Sequence, residues 1–138
     1  MKIALVTDST ADLPPDLAVE WQVHVLPLKV TFGDEQFLDS ELTPEDFYRR
    51  LATESQLPTT SQPSPEDFSL VYAKALAEND AVISIHISAG LSGTLNSAHM
   101  AAKDFPGRVH LVDSRSISLG IGQQVKVAAE GIREGIGL

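Results

Sequence analysis

The sequence predicts an open three-layer α/β sandwich built on a mostly parallel sheet. Three observations carry this. Short apolar runs alternate from end to end with segments of helical periodicity. The run "AVISIHI", residues 81–87, lacks the polar alternation of a half-exposed strand, as suits a parallel strand covered on both faces. The segments between the runs are long enough for helical crossovers, which join parallel strands with one hand.

Taken in order, "KIALVT" is a first strand, and "PPDLAVEW" a brief helix opened by prolines. "VHVLPLKVTF" is one strand-like run, and "FGDEQF" is a turn into a short extended arm through Phe37. "TPEDF" at Thr43 and "SPEDF" at Ser64 predict two helix starts, each with a hydroxyl cap, a proline at the first helical position and an acid three residues after the cap. This is capping chemistry and carries no catalytic expectation. Phe68, Val71, Tyr72, Ala75 and Leu76 recur at helical spacing, as do Leu95, Ala98, Ala102 and Phe105. Both sets are core stripes. "RVHLVDS" predicts another strand of the buried kind, and Ile117, Ile121, Val125, Ala128 and Ile132 form one face of a closing helix. Apart from the paired caps, no internal repeat is evident.

The 138 residues suffice for one domain, 1–138, with a core that needs no metal or disulfide staple. The absence of cysteine excludes a disulfide framework, a Cys-ligated zinc or iron–sulfur site and a thiol nucleophile. It fits a reducing compartment, so a cytoplasmic location is expected. "MKIALVTDST" meets Asp8 too early for a signal peptide. No apolar segment approaches the roughly 20 residues of a membrane span. Ten basic residues against nineteen acidic ones give a net charge of −9, which repels nucleic acid.

In an open parallel sheet, ligands bind beyond the carboxyl ends of the strands. The residues expected there are alike: Asp8, Ser9 and Thr10; Ser92, Gly93 and Thr94 within "ISAGLSGTLNSA"; Asp113 and Ser114; and Thr59, Thr60 and Ser61 within "PTTSQPS". Small residues let a backbone approach a ligand, and hydroxyls beside free N–H groups suit an anion. Such a cradle contains no lysine, so one carboxylate or phosphate is its expected occupant. The same residue types are also ordinary in loops and caps. "GLSGT" has Thr94 where a nucleophile elbow needs glycine, and neither G-x-G-x-x-G nor a phosphate-loop lysine is present. The four histidines are scattered, and Trp21 reads as packing. Asp8 and Asp113 admit two readings, as loop caps or as the acid–base pair of a small phosphotransfer or hydrolytic enzyme using Mg²⁺. An interaction domain with an open apolar flank is a third reading.

"VTDSTADLP", "TTSQPS", "ISAGLSGTLNSA" and "VDSRSISLGIG" resemble, in order and spacing, the motifs of the bacterial DegV family. The resemblance runs from Met1 to about Gln124. It implies a Rossmann-like domain that binds a long-chain fatty acid and is not itself an enzyme. Members of the family act as the carrier subunit of fatty acid kinase, presenting the acyl carboxylate to a separate kinase subunit. Carried over by motif, the carboxylate ligands are Thr60, Ser61 and Ser92 with the backbone of Gly93, and Asp8, Ser9, Thr94, Asp113 and Ser114 are supporting residues. No metal or other cofactor is implied. Chains of the family are about twice this length, with a second domain that closes the acyl tunnel. This chain therefore reads as an isolated amino-terminal domain, and the unlined tunnel wall implies self-association through the carboxyl edge and the closing helix. Gly131, Gly135 and Gly137 are expected to loosen that helix's far end.

Overall fold

A computed structural model describes all residues, 1–138. Strand β1 (Ile3–Asp8) is buried over five of its six residues because it runs through the middle of the sheet. A single 3₁₀ turn, Ser9–Ala11, and the short helix α1 (Pro15–Glu20) carry the chain to β2 (Val23–Leu26). After an antiparallel excursion, helix α3 (Pro65–Leu76) returns it to β6 (Ala81–His86). Helix α4 (Thr94–Ala102), strand β7 (Val109–Asp113) and helix α5 (Leu119–Arg133) complete the domain. The four strands lie in the order β2-β1-β6-β7, all parallel.

Alternation along β6 divides the core in two. Val82 faces Phe68, Tyr72 and Ala75 of α3 and Ala98 and Ala101 of α4. Ile85 faces Ala11 and the α5 residues Ile121 and Val125, with Ile87 just beyond the strand joining them. Phe68 and Tyr72 are fully buried, and excluding each ring from water contributes roughly 1.5–3 kcal/mol. Three layers and a parallel sheet are thus as the sequence predicts.

Four elements differ from the sequence reading. "VHVLPLKVTF" is two strands in two sheets, because Pro27 has no N–H to continue a ladder. There the chain leaves the parallel sheet, and Leu28 donates to Ser9 Oγ at 3.0 Å. Its second half, β3 (Lys29–Phe32), is the centre of an antiparallel sheet between β4 (Glu35–Leu38) and β5 (Thr59–Ser61). Helix α2 (Pro44–Thr53) covers it: Phe47 meets Phe32 edge-on at 5.8 Å, and the Arg50 guanidinium lies 4.6 Å over Phe37. The segment expected as a hydroxyl loop is therefore strand β5. Strand β7 is an edge strand, with His110 and Val112 exposed, and is not covered on both faces.

The closing helix differs as well. Ile121 and Val125 are fully buried in this domain's own core, and Ile117 precedes the helix and is half exposed. The stripe closes the domain and is not held open for a second copy. Its far end is fastened: Gly135 at φ +80° donates to Ile132 O, and Ile136 N bonds back to Gly131 O at 2.9 Å. This is a Schellman cap, for which the glycine supplies the left-handed conformation.

Candidate functional site at the carboxyl edge

The turn after β6 is wound around Ser88. Its carbonyl accepts from Leu91 N at 2.9 Å and Ser92 N at 3.2 Å, and its hydroxyl accepts from Gly90 N at 3.2 Å. The turn delivers Ser92 to the start of α4, where Ser92 Oγ accepts from Thr94 N at 3.2 Å and lies 2.9 Å from Thr94 Oγ1. Thr94 is fully buried, so its hydroxyl orients Ser92 from beneath, and Ser92 itself keeps contact with solvent. The N–H groups of Gly93, Leu95 and Asn96 donate to nothing within the chain. Unsatisfied N–H groups and the positive end of a helix dipole favour an anion at this place.

Thr60 and Ser61 are exposed on β5, an edge strand. Strand alternation sends them to opposite faces, Thr60 across from Val30 and Ser61 across from Lys29. The next residue, Gln62, joins the two segments. Its Nε2 donates to Ser97 Oγ at 3.3 Å, and its amide lies so close to Gly93 that a Cβ there would be 2.8 Å from Gln62 Cδ. The TSQ and LSG motifs therefore meet through Gln62 and Gly93. Lys29, whose Nζ lies 3.9 Å from Asp67, is a cation beside this site that a lysine-free cradle did not foresee. It is remote in sequence, and only the strand register brings it to Ser61.

The supporting residues serve the loops themselves. Asp8 is fully buried and accepts from Thr10 N, Thr10 Oγ1 and Ile87 N, and its Oδ2 lies 2.8 Å from His86 Nδ1. Burial alone would raise its carboxyl, but the bonds from His86, Thr10 and Ile87 hold it below the usual carboxylate value. Ser9 is occupied by Leu28 N and by Asp39, whose Oδ1 has no partner and whose carboxyl burial pushes up. Asp113 Oδ1 accepts from Ala89 N and Arg115 N, and Ser114 Oγ accepts from Ser116 N. Asp39 went unnoticed in the sequence because nothing local distinguishes it from the other acids of its turn.

Asp8, His86 and Ser84 follow one another in the manner of a catalytic triad, yet Ser84 is fully buried and can meet no substrate. Asp113, engaged with two loop amides, is set for the same capping task. A concavity of about 880 Å³ lies at the opposite edge, against Ile3, Trp21, Val23, Glu78, Glu130 and Arg133. Its lining includes no hydroxyl side chain and mixes both signs of charge, so it does not match the chemistry of the carboxyl edge.

A parallel sheet with helices on both faces, and hydroxyls and free N–H groups beyond the carboxyl ends of its strands, defines a doubly wound α/β domain whose carboxyl edge suits an anion. The family model for DegV, described as an uncharacterised protein family, matches residues 2–138. The chain belongs to the DegV family. It is 44% identical over 136 residues to a DegV domain-containing protein of Deinococcus radiodurans, covering 98% of this chain and 48% of that one. It is 39% identical over 137 residues to Protein DegV of Bacillus subtilis, covering 98% and 49%. Among solved structures it superposes on a fatty-acid-binding DegV family protein from Thermus thermophilus with a TM-score of 0.94 at 49% identity, over 100% of this chain and 50% of that one. DegV of Bacillus subtilis, a fatty acid binding protein, gives 0.90 at 39% identity over 98% and 49%. The chain thus spans about half the length of the curated relatives it matches.

Proposed function

We propose that this domain binds a long-chain fatty acid with its carboxylate at the carboxyl edge, held by Ser92, the N–H of Gly93 and the Thr60–Ser61 strand end. The observation that carries the reading is the junction of Gln62 with Gly93, which ties the segment directly after Thr60 and Ser61 to the unpaired N–H groups opening α4. The fatty-acid-binding relatives support the choice of a carboxylate over a phosphate. On this reading the domain is a carrier without catalysis of its own, and it presents the carboxylate to a separate kinase subunit.

Mass spectrometry of an organic extract of the purified chain should show a fatty acid. Ser92→Ala removes one hydroxyl from a desolvated anion, at a cost of roughly 1.5–3 kcal/mol, about ten- to 150-fold in Kd. Titration of a C16 fatty acid into parent and variant checks this, and equal affinities would reject the cradle.

A further inference from the structure

We propose that Asp8 is a positioning residue for this site, held as an anion by a one-way hydrogen-bond chain from Tyr72 through Ser84 and His86. The inference rests on the fatty-acid reading for what the loops bind, but not for how they are held.

The direction of the chain follows from counting protons. Tyr72 OH lies 2.9 Å from Ser84 Oγ, Ser84 Oγ lies 2.6 Å from His86 Nε2, and His86 Nδ1 lies 2.8 Å from Asp8 Oδ2. All four side chains are fully buried, and the His86 ring is gripped edge-on by Phe68 at 5.0 Å. Burial pushes the Tyr72 phenol up to about 12, so it keeps its proton, and Ser84 is its one partner. Tyr72 must therefore donate to Ser84, whose own proton then goes to Nε2. His86 is left neutral with its proton on Nδ1, aimed at Asp8. A proton on Nε2 would set the bare Nδ1 against the Asp8 carboxylate, acceptor to acceptor at 2.8 Å, and leave the buried Ser84 hydroxyl with two donors facing it and no acceptor for its own proton.

With this tautomer Asp8 is a carboxylate receiving four hydrogen bonds, and two of its partners root the site. Ile87 N, at 3.2 Å, begins the turn that ends in Ser92. Thr10, bonded through N–H and hydroxyl, presents its carbonyl to Ser118 N at 2.8 Å, and Ser118 opens α5 at φ +56°. One buried anion thus sets the turns after β1 and β6 and the loop that leads into α5.

The test uses the ¹⁵N-labelled 138-residue chain at pH 7, where His86 should show a protonated Nδ1 and an unprotonated Nε2. Asp8→Asn turns an amide NH₂ toward groups that themselves donate. It should speed hydrogen exchange at the Ile87 and Ser118 amides about tenfold more than at the core amide of Val82, and weaken binding of a C16 fatty acid about tenfold. Leu76→Ala, a core change away from the loops, should lower melting temperature and leave that exchange ratio unchanged. If Asp8→Asn does not fold, Tyr72→Phe decides: it removes the terminal donor and leaves the Asp8 carboxylate facing Nδ1, so the Nδ1–H tautomer should persist. A His86 protonated at Nε2 in the parent, a tautomer lost in Tyr72→Phe, or an unchanged exchange ratio in Asp8→Asn would each overturn the proposal. A parent that binds no fatty acid would reject the functional reading alone, because the tautomer and exchange results need no ligand.

Discussion

Asp8 shows why a residue's type is legible in a sequence when its task is not. A carboxylate after a strand can cap, coordinate a metal or act as a base, and the partner that decides, His86, lies 78 residues away. Once paired, its behaviour in acid follows. The folded carboxyl titrates below 3.8, so its contribution to stability is present above that value and is lost as pH falls through the folded value. Urea midpoints measured from pH 5 to pH 2 should therefore fall more steeply for the parent than for Asp8→Asn. Parallel curves would mean that Asp8 is not a source of acid sensitivity. Asp39 works in the opposite sense: burial raises its carboxyl, so ionising it costs stability at neutral pH.

At the scale of elements, helix starts were the most readable feature because capping is local. Ser64 Oγ accepts from Asp67 N at 3.1 Å and Asp67 Oδ2 from Ser64 N at 2.9 Å, a reciprocal box contained in four residues. Ser64→Ala should lower unfolding free energy by about 1 kcal/mol and leave fatty-acid affinity unchanged. Thermal melts beside binding titrations separate the two effects, and a loss of affinity would place Ser64 in the site. The second sheet was readable only in part: the turn into an extended arm through Phe37 stands as β4, whereas the break at Pro27 and strand β5 had no signal. Apolar residues run through both sides of Pro27, so the break between β2 and β3 has no hydrophobic signature. Strand β5 is all hydroxyls, with no apolar alternation, and exists because β3 offers it an edge. The hydroxyls of the site were visible by type, whereas the meeting of Gln62 with Gly93 depends on that second sheet.

Across the whole molecule, large apolar side chains are exposed at many places, and three of them, Leu91, Ile117 and Leu119 at 64%, 52% and 72%, stand at the carboxyl edge. Water-facing side chains of this size favour association. Sedimentation equilibrium at micromolar concentration should show dimers of the 138-residue chain that dissociate when a C16 fatty acid is added. A monomer in both conditions, with no binding of an apolar dye, would mean that this edge is not adhesive. The face of α5 that carries Ile121 and Val125 should stay out of any such contact, since both are already enclosed. The strand order β2-β1-β6-β7 also governs when the site comes into being during folding. Asp8 reaches His86, and Thr10 reaches Ser118, only after the chain has closed a loop of most of its length, an entropic cost met before any of these contacts stabilises the chain. We predict that the cradle is assembled after the rate-limiting barrier. In stopped-flow urea experiments a bound fatty acid should slow unfolding and leave refolding at its ligand-free rate, so that the lipid lengthens the lifetime of the native state without guiding the chain toward it.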